Sequence, residues 1–403
     1  MTEPHSLTML TPGSTPRTAD DLDVMTMPAD ALALRGAYLH VPFCFHKCHY
    51  CDFYSIVDNR DRQDAFVDRM TIELDAAADR FTRPLESIFV GGGTPTLLPP
   101  ERWRRLFEAI HRALPRDDRT EFSIEANPET VTDDLARTLA AGGVNRASIG
   151  AQSFDPRHLK TLERWHDPDN VGRSVRILRD AGITNVNIDL IFAIPGQTLA
   201  EWQFELDAAL ALDPTHLSCY GLTYEPNTAM TARLRAGRFE PASEDLEAAM
   251  YEMTLDRLAD AGFEQYEISN WARPGRTCRH NLLYWRNEHW WPFGPAAAGH
   301  VAGRRWRNVP RLGDYLDVGP LPPITDVEHL DRRGRVGEQL MLGFRLREGI
   351  AESSLHEWLA DAPDRRATVD GALRDGLLER HDGAVRFTRR GMLVADSVLS
   401  DLV

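Results

Sequence analysis

Lysine is almost absent: Lys47 and Lys160 are the two in 403 residues, so the positive charge is carried by arginine. Basic residues are also outnumbered, 46 Lys and Arg against 61 Asp and Glu, which leaves a formal net charge of −15. Nucleic-acid backbones are gripped by clustered cations that neutralise phosphates, and this balance argues against that class of partner. No window holds the roughly eighteen consecutive apolar residues that a membrane-crossing helix needs. The segment Met1 to Leu32 lacks the basic start, apolar run and small-residue cleavage site of a secretory signal, so a cytoplasmic protein is expected. Cysteine is scarce too, five in all, yet Cys44, Cys48 and Cys51 crowd into eight positions while Cys219 and Cys278 stand apart. Such crowding in an odd-numbered set suits a metal site better than a disulfide framework.

What is present is a long alternation of short β-rich runs with helical patterns. Residues 1–33, rich in Thr, Pro, Asp and Met without periodicity, read as a flexible leader. From residue 34 to about 235, strands are expected at Ala37–Val41, Ser87–Val90, Glu121–Glu125, Asn145–Gly150, Asn185–Ile191 and His216–Gly221, separated by amphipathic helices. Pro99 and Pro100 open one helix, and the Thr198 and Glu201 pair is a capping box for another. Six βα units fall short of the eight of a closed barrel, so the expected fold class is α/β, an open partial (β/α)6 TIM-type barrel. Residues 236–323 form an accessory α+β segment, with a helix over 243–262, a strand at Glu264–Ser269 and a run dense in Trp, His, Arg and Gly. After Pro320, Pro322 and Pro323, residues 324–403 carry helical patterns and a hairpin around His381-Asp382-Gly383, which predicts a winged-helix-like C-terminal domain. Its expected role is packing rather than DNA binding.

The chemistry concentrates after the first strand, in Cys44-Phe45-His46-Lys47-Cys48-His49-Tyr50-Cys51. Three thiolates on a short loop can hold a cubane cluster of four irons and leave one iron without a protein ligand, which is where a small molecule can be activated. A structural zinc site, closed by His46 or His49 as fourth ligand, is the alternative reading of the same residues. It does not explain the other marked residues, which follow successive strands: Gly91-Gly92-Gly93-Thr94-Pro95, Glu125-Ala126-Asn127-Pro128, Gly150-Ala151-Gln152-Ser153-Phe154 and Asn187-Ile188-Asp189-Leu190-Ile191.

With its lead-in Tyr38-Leu39-His40-Val41-Pro42-Phe43, this set resembles the radical SAM superfamily. Within it the chain is similar to the oxygen-independent coproporphyrinogen III oxidases and the HemW haem chaperones, over about Tyr38 to Val403. The resemblance implies a [4Fe-4S] cluster on Cys44, Cys48 and Cys51, with S-adenosyl-L-methionine chelating the open iron. It also implies cofactor contacts from Tyr38, Tyr50, Gly92, Gly93, Thr94, Glu125, Gln152, Arg164 and Asp189. Arg164, in Leu162-Glu163-Arg164-Trp165-His166, would grip the cofactor carboxylate through two parallel hydrogen bonds. Taken singly, Asp189 and Arg164 also fit structural salt bridges.

Two features separate the branches. The oxidases carry a further cysteine soon after the third ligand, whereas this chain reads Cys51-Asp52-Phe53, as the chaperones do. Cys278-Arg279-His280-Asn281-Leu282-Leu283-Tyr284-Trp285 is similar to the chaperones' His-Asn-x-x-Tyr-Trp element, associated there with haem. The resemblance makes His280 the candidate haem ligand, ahead of Cys278 and His300, although His280 and Trp285 also suit a buried core. The expected function is haem binding and transfer to an acceptor protein, with an electron donor as second partner and membrane contact only through the acceptor. The alternative is oxidative decarboxylation of coproporphyrinogen III to protoporphyrinogen IX.

Overall fold

The computed structural model of the protein describes residues 17–403. Strand β1 (Gly36–Val41) is followed by the short strands β2 (Phe43–Cys44) and β3 (Ile56–Val57), which bracket the cysteine loop, and by helix α1 (Gln63–Ala77). Then come β4 (Ser87–Gly92), α2 (Pro100–Ala113), β5 (Glu121–Ala126), α3 (Asp133–Ala141) and β6 (Arg146–Gln152). Helices α4 (Pro156–Leu162) and α5 (Asp169–Asp180) lead to β7 (Asn185–Phe192), α6 (Leu199–Ala211) and β8 (His216–Gly221). All six expected barrel strands are present, and β1, β4, β5, β6, β7 and β8 pair in parallel in that order.

The accessory segment adds α7 (Ala229–Arg235), α8 (Glu244–Asp260), β9 (Glu264–Glu267), β10 (Asn270–Ala272), α9 (Arg279–Trp285), β11 (Trp290–Phe293), β12 (Ala298–Val301), β13 (Arg304–Asn308), α10 (Leu312–Leu316) and β14 (Ile324–His329). Sequence periodicity missed β11, which returns to pair in parallel with β1 and makes a seventh parallel strand. The sheet then runs on antiparallel at both ends, in the order β14-β13-β12-β11-β1-β4-β5-β6-β7-β8-β10-β9, and does not close. The C-terminal unit runs α11 (Arg332–Arg345), β15 (Ile350–Ala351), α12 (Glu352–Trp358), α13 (Pro363–Arg374), β16 (Leu378–His381) and β17 (Ala384–Phe387), then two short helices. This is the winged-helix order, and its hairpin turns on Asp382 and Gly383, both at positive φ as a primed turn requires.

Part of the expected leader, residues 1–16, lies outside the described residues. From Arg17 onward the stretch is not loose: it forms two 3-10 turns, Leu22 and Leu32 are buried in the main core, and Ile324 N–H donates to Arg17 O at 2.8 Å. Among the described residues no helix is long and apolar enough to cross a membrane.

Strand alternation divides the barrel into two environments. Ala37, Leu39, Ile88, Val90, Phe122, Ile124, Ala147, Ile149, Val186 and Ile188 pack outward in one core with the helices. The intervening residues include Ser87, Ser123, Ser148, Asn187, His216 and Ser218, all buried, so the lumen is polar. Helix α9 lies under the strands' amino-terminal ends. Glu121, at the start of β5, accepts the Arg279 N–H at 2.9 Å and so satisfies a free donor at that helix's first turn.

Candidate active site at the carboxyl end of the barrel

The cysteine loop is held at its base by the parallel pairing of Phe43 with Ile56 and Cys44 with Val57. Away from the base, His49 N–H donates to Leu162 O at 3.3 Å, Met230 N–H to His49 O at 2.9 Å, and Arg233 pairs with the His49 ring at 3.0 Å. The loop therefore spans from β1 across the mouth to α4 and α7. His46 does not close a zinc tetrahedron; its ring stacks on Trp165 at 4.2 Å with 7° between planes.

The glycine run packs against the same base. Gly93 N–H donates to Val41 O at 2.8 Å and Thr94 N–H to Phe43 O at 2.7 Å, while the Thr94 hydroxyl lies 3.4 Å from Cys44 Sγ. A Cβ on Gly93 would stand 2.6 Å from Phe43 O, so only glycine lets the two backbones meet. Gly92, at φ 111°, turns its N–H onto Glu125 Oε2 at 3.0 Å.

Glu125 lies near enough to Asp189 in the lumen to feel its charge. Burial and the Asp189 charge push the Glu125 carboxyl up to about 8. Burial raises Asp189 also, against hydrogen bonds from Ser218, Ser148 and Asn187. Two carboxyl groups so placed favour a cationic ligand between them. Gln152 sits at φ 63° beyond a bulge in the β6–β7 pairing.

Arg164 reaches the mouth because α4 ends in a left-handed residue, Glu163 at φ 52°, which turns the chain inward. Its guanidinium donates to Gly150 O at 2.9 Å and approaches Cys48 Sγ at 3.9 Å, and its buried Nε has no partner. A fork with an unsatisfied donor fits an incoming carboxylate. Tyr50 packs over the mouth with Leu162, Ile191 and Met230. Tyr38 is deeper, its hydroxyl 3.0 Å from His40 Nδ1, and its ring stacks on Phe89 and His280 rather than on the loop.

Burial raises the Cys44 thiol, and the Cys51 thiol to about 11, with a smaller contribution in each case from neighbouring sulfurs of the loop. The three sulfurs do not all lie within 4.8 Å of one another, as Asp155, His158 and Glu201 do among the described residues. A mononuclear tetrahedral zinc site would bring thiolates to about 3.8 Å, from Zn–S bonds of about 2.3 Å. Three cysteines of one loop held wider than that fit a multi-iron cluster. The Asp155, His158 and Glu201 set already has its cation, since Arg157 donates to Asp155 at 2.5 Å and to Glu201 at 2.6 Å.

His280 stands apart from the cysteine loop. It lies at the opposite, amino-terminal end of the barrel, 2% exposed, with one ring nitrogen 2.8 Å from the Ser87 hydroxyl and the other 2.8 Å from the Tyr284 hydroxyl. Burial drives its pKa down to about 3, so the ring is neutral, and both nitrogens have hydrogen-bond partners. Cys278 is likewise buried, beside Glu121 at 3.6 Å, and His300 is buried with Nδ1 2.9 Å from Glu288 O. Sequence reasoning missed the lumen residues Asn187, His216 and Tyr266. Their signal was polar alternation in strands that, if covered by apolar side chains on both faces, would read as continuously apolar.

The family model for the radical SAM superfamily matches residues 38–208, and that for the HemN C-terminal domain matches residues 330–394. The chain is 37% identical to the haem chaperone HemW of Mycobacterium tuberculosis over 91% of its length and 94% of that protein. It is 34% identical to HemW of Bacillus subtilis, over 91% and 98%, and 35% identical to HemW of Escherichia coli, over 90% and 96%. The solved structure of coproporphyrinogen III oxidase (HemN) from Escherichia coli superposes with a TM-score of 0.79 at 22% identity, over 93% of this chain and 92% of that one, which establishes a shared fold. With its three-cysteine loop at the mouth of an open barrel and this kinship along nearly its whole length, the chain belongs to the HemW family of the radical SAM superfamily.

Proposed function

We propose that this protein is a haem chaperone, which binds haem and passes it to an acceptor protein. In this reading Cys44, Cys48 and Cys51 hold a [4Fe-4S] cluster whose open iron takes S-adenosylmethionine. The observation that carries it is sequence kinship: proteins named haem chaperone HemW match about nine-tenths of the chain at 34–37% identity, whereas the coproporphyrinogen oxidase shares the fold at 22%. The Cys51-Asp52-Phe53 sequence, without a fourth cysteine beside the third, supports the same side. Around the loop Phe45, Phe53 and Trp165 are exposed aromatic rings, surfaces suited to a flat apolar ligand.

When bound, the cluster and S-adenosylmethionine supply one-electron chemistry, including the capacity to generate a 5'-deoxyadenosyl radical. The chain's own groups have simpler tasks. Arg164 grips the cofactor carboxylate, Glu125 and Asp189 meet its positive charge, and the Gly92 and Gly93 backbone lets its methionine end approach. Tyr50 and Gln152 close the mouth against water, and Tyr38 supports the wall beneath. An electron donor serves the cluster, and a cytoplasmic location with membrane contact only through the acceptor belongs to the same reading.

The test is a paired titration of the anaerobically reconstituted protein with haem and with coproporphyrinogen III, followed by product analysis. Saturable haem binding without protoporphyrinogen formation is expected. Conversion of coproporphyrinogen with matching 5'-deoxyadenosine release would replace this reading with the oxidase one.

A further inference from the structure

A hydrogen-bonded chain crosses the barrel lumen from α9 to Asp189. Asn281 Nδ2 lies 3.3 Å from the Tyr266 hydroxyl, which lies 2.9 Å from His216 Nε2. His216 Nδ1 lies 2.7 Å from Asn187 Oδ1, and Asn187 Nδ2 lies 2.7 Å from Asp189 Oδ1. Ser148 completes the cradle, donating to Asp189 Oδ2 at 2.9 Å. The hydrogens can be assigned by chemistry. An amide beside a carboxylate presents its NH2, so Asn187 Oδ1 must accept, and His216 Nδ1 carries the proton. Burial drives the His216 pKa well below its ordinary value, so the ring is neutral and Nε2 is left to accept from Tyr266. The Tyr266 oxygen then accepts from Asn281. Every donor points toward Asp189, and bonds aligned head to tail polarise one another in a medium of low dielectric.

We propose that Asn281, Tyr266 and His216 are positioning residues for the cofactor site, acting through Asn187 to fix the orientation and charge of the Asp189 carboxylate. Asn281 belongs to the His-Asn-x-x-Tyr-Trp element. Through Asn281 that element is joined to the floor of the S-adenosylmethionine site. The inference rests on the reading of Asp189 as a cofactor contact.

The experiment measures S-adenosylmethionine affinity of the anaerobically reconstituted full chain by equilibrium dialysis, for Asp189→Asn, Tyr266→Phe and the double variant. Tyr266→Phe removes one oxygen and keeps the ring. It is expected to weaken binding about three- to tenfold, on the scale of one buried hydrogen bond, with unchanged iron content and a modestly lowered unfolding midpoint. The double variant is expected to bind no more weakly than Asp189→Asn alone, because the chain acts only through that carboxylate. Wild-type affinity in Tyr266→Phe, or additive losses in the double variant, overturns the proposal. Wild-type affinity in Asp189→Asn overturns it together with the assignment of Asp189. Should Tyr266→Phe not fold, His216→Gln against His216→Leu decides. The glutamine keeps a donor toward Asn187 and an acceptor toward Tyr266 and is expected to retain affinity that leucine loses; equal affinities overturn the proposal.

Discussion

Glu125 shows how a single side chain records its surroundings. Its carboxyl is pushed up to about 8 by burial and by Asp189, so at pH 7 it holds a proton. A sulfonium and an ammonium group brought beside it favour the carboxylate, and that proton must leave. Calorimetric titration with S-adenosylmethionine at pH 7, in two buffers of different ionisation enthalpy, is expected to show release of roughly one proton. The release fades above pH 9 and disappears in Glu125→Gln. The position of Glu125 at a strand end was legible in the sequence, because strand ends at the carboxyl side gather a barrel's ligands. Its raised pKa was not, since it depends on Asp189 arriving from a strand that follows more than sixty residues later. His280 makes the opposite point. Its motif left open a haem ligand or a buried core residue, and only the packing of α9 under β4 reveals that Ser87 and Tyr284 occupy both ring nitrogens.

Among the elements, the β2–β3 pairing and the glycine run form one joint that sets the cysteine loop. Gly93→Ala places a methyl group against Phe43 O, a backbone atom that moves only if Cys44 moves. The variant is expected to lose about 1–3 kcal/mol of stability in denaturant unfolding and to retain less iron per chain after anaerobic reconstitution. Iron content equal to wild type would show that the joint does not set the loop. The six barrel strands could be read because their outward residues are apolar at a period of two. β11 could not: its Trp290-Trp291-Pro292-Phe293 run is too short, and its partner β1 lies some 250 residues earlier. Pairing at such separation leaves no local pattern. The leader stretch was misleading because it has no periodic apolar pattern, yet Leu22 and Leu32 are buried in the main core.

At the scale of the whole molecule, Glu73 ties three regions together. It is buried in α1 and accepts from Gly294 N–H at 3.1 Å, the Tyr315 hydroxyl at 2.6 Å and Asn308 Nδ2 at 3.2 Å, joining the barrel to the β11–β13 extension and α10. Burial raises its pKa to about 7 from 4.5. The folded form therefore holds this proton more tightly than the unfolded chain does. The resulting stabilisation is full below pH 4.5 and is lost as pH rises to about 7, which subtracts from stability over that window and not beyond it. Unfolding midpoints across this range are expected to lose that component in Glu73→Gln. The variant is less stable at every pH, because an amide cannot accept at both ends. An unchanged pH profile would place the titration elsewhere.

The claim that organises the molecule is that Cys44, Cys48 and Cys51 carry a cluster with one iron free for S-adenosylmethionine, and electron paramagnetic resonance of the dithionite-reduced, anaerobically reconstituted protein tests it most directly. The account predicts a single [4Fe-4S]+ signal that shifts when S-adenosylmethionine is added and is lost on replacing all three cysteines by alanine; a signal indifferent to the cofactor, or one that survives the triple replacement, would contradict it.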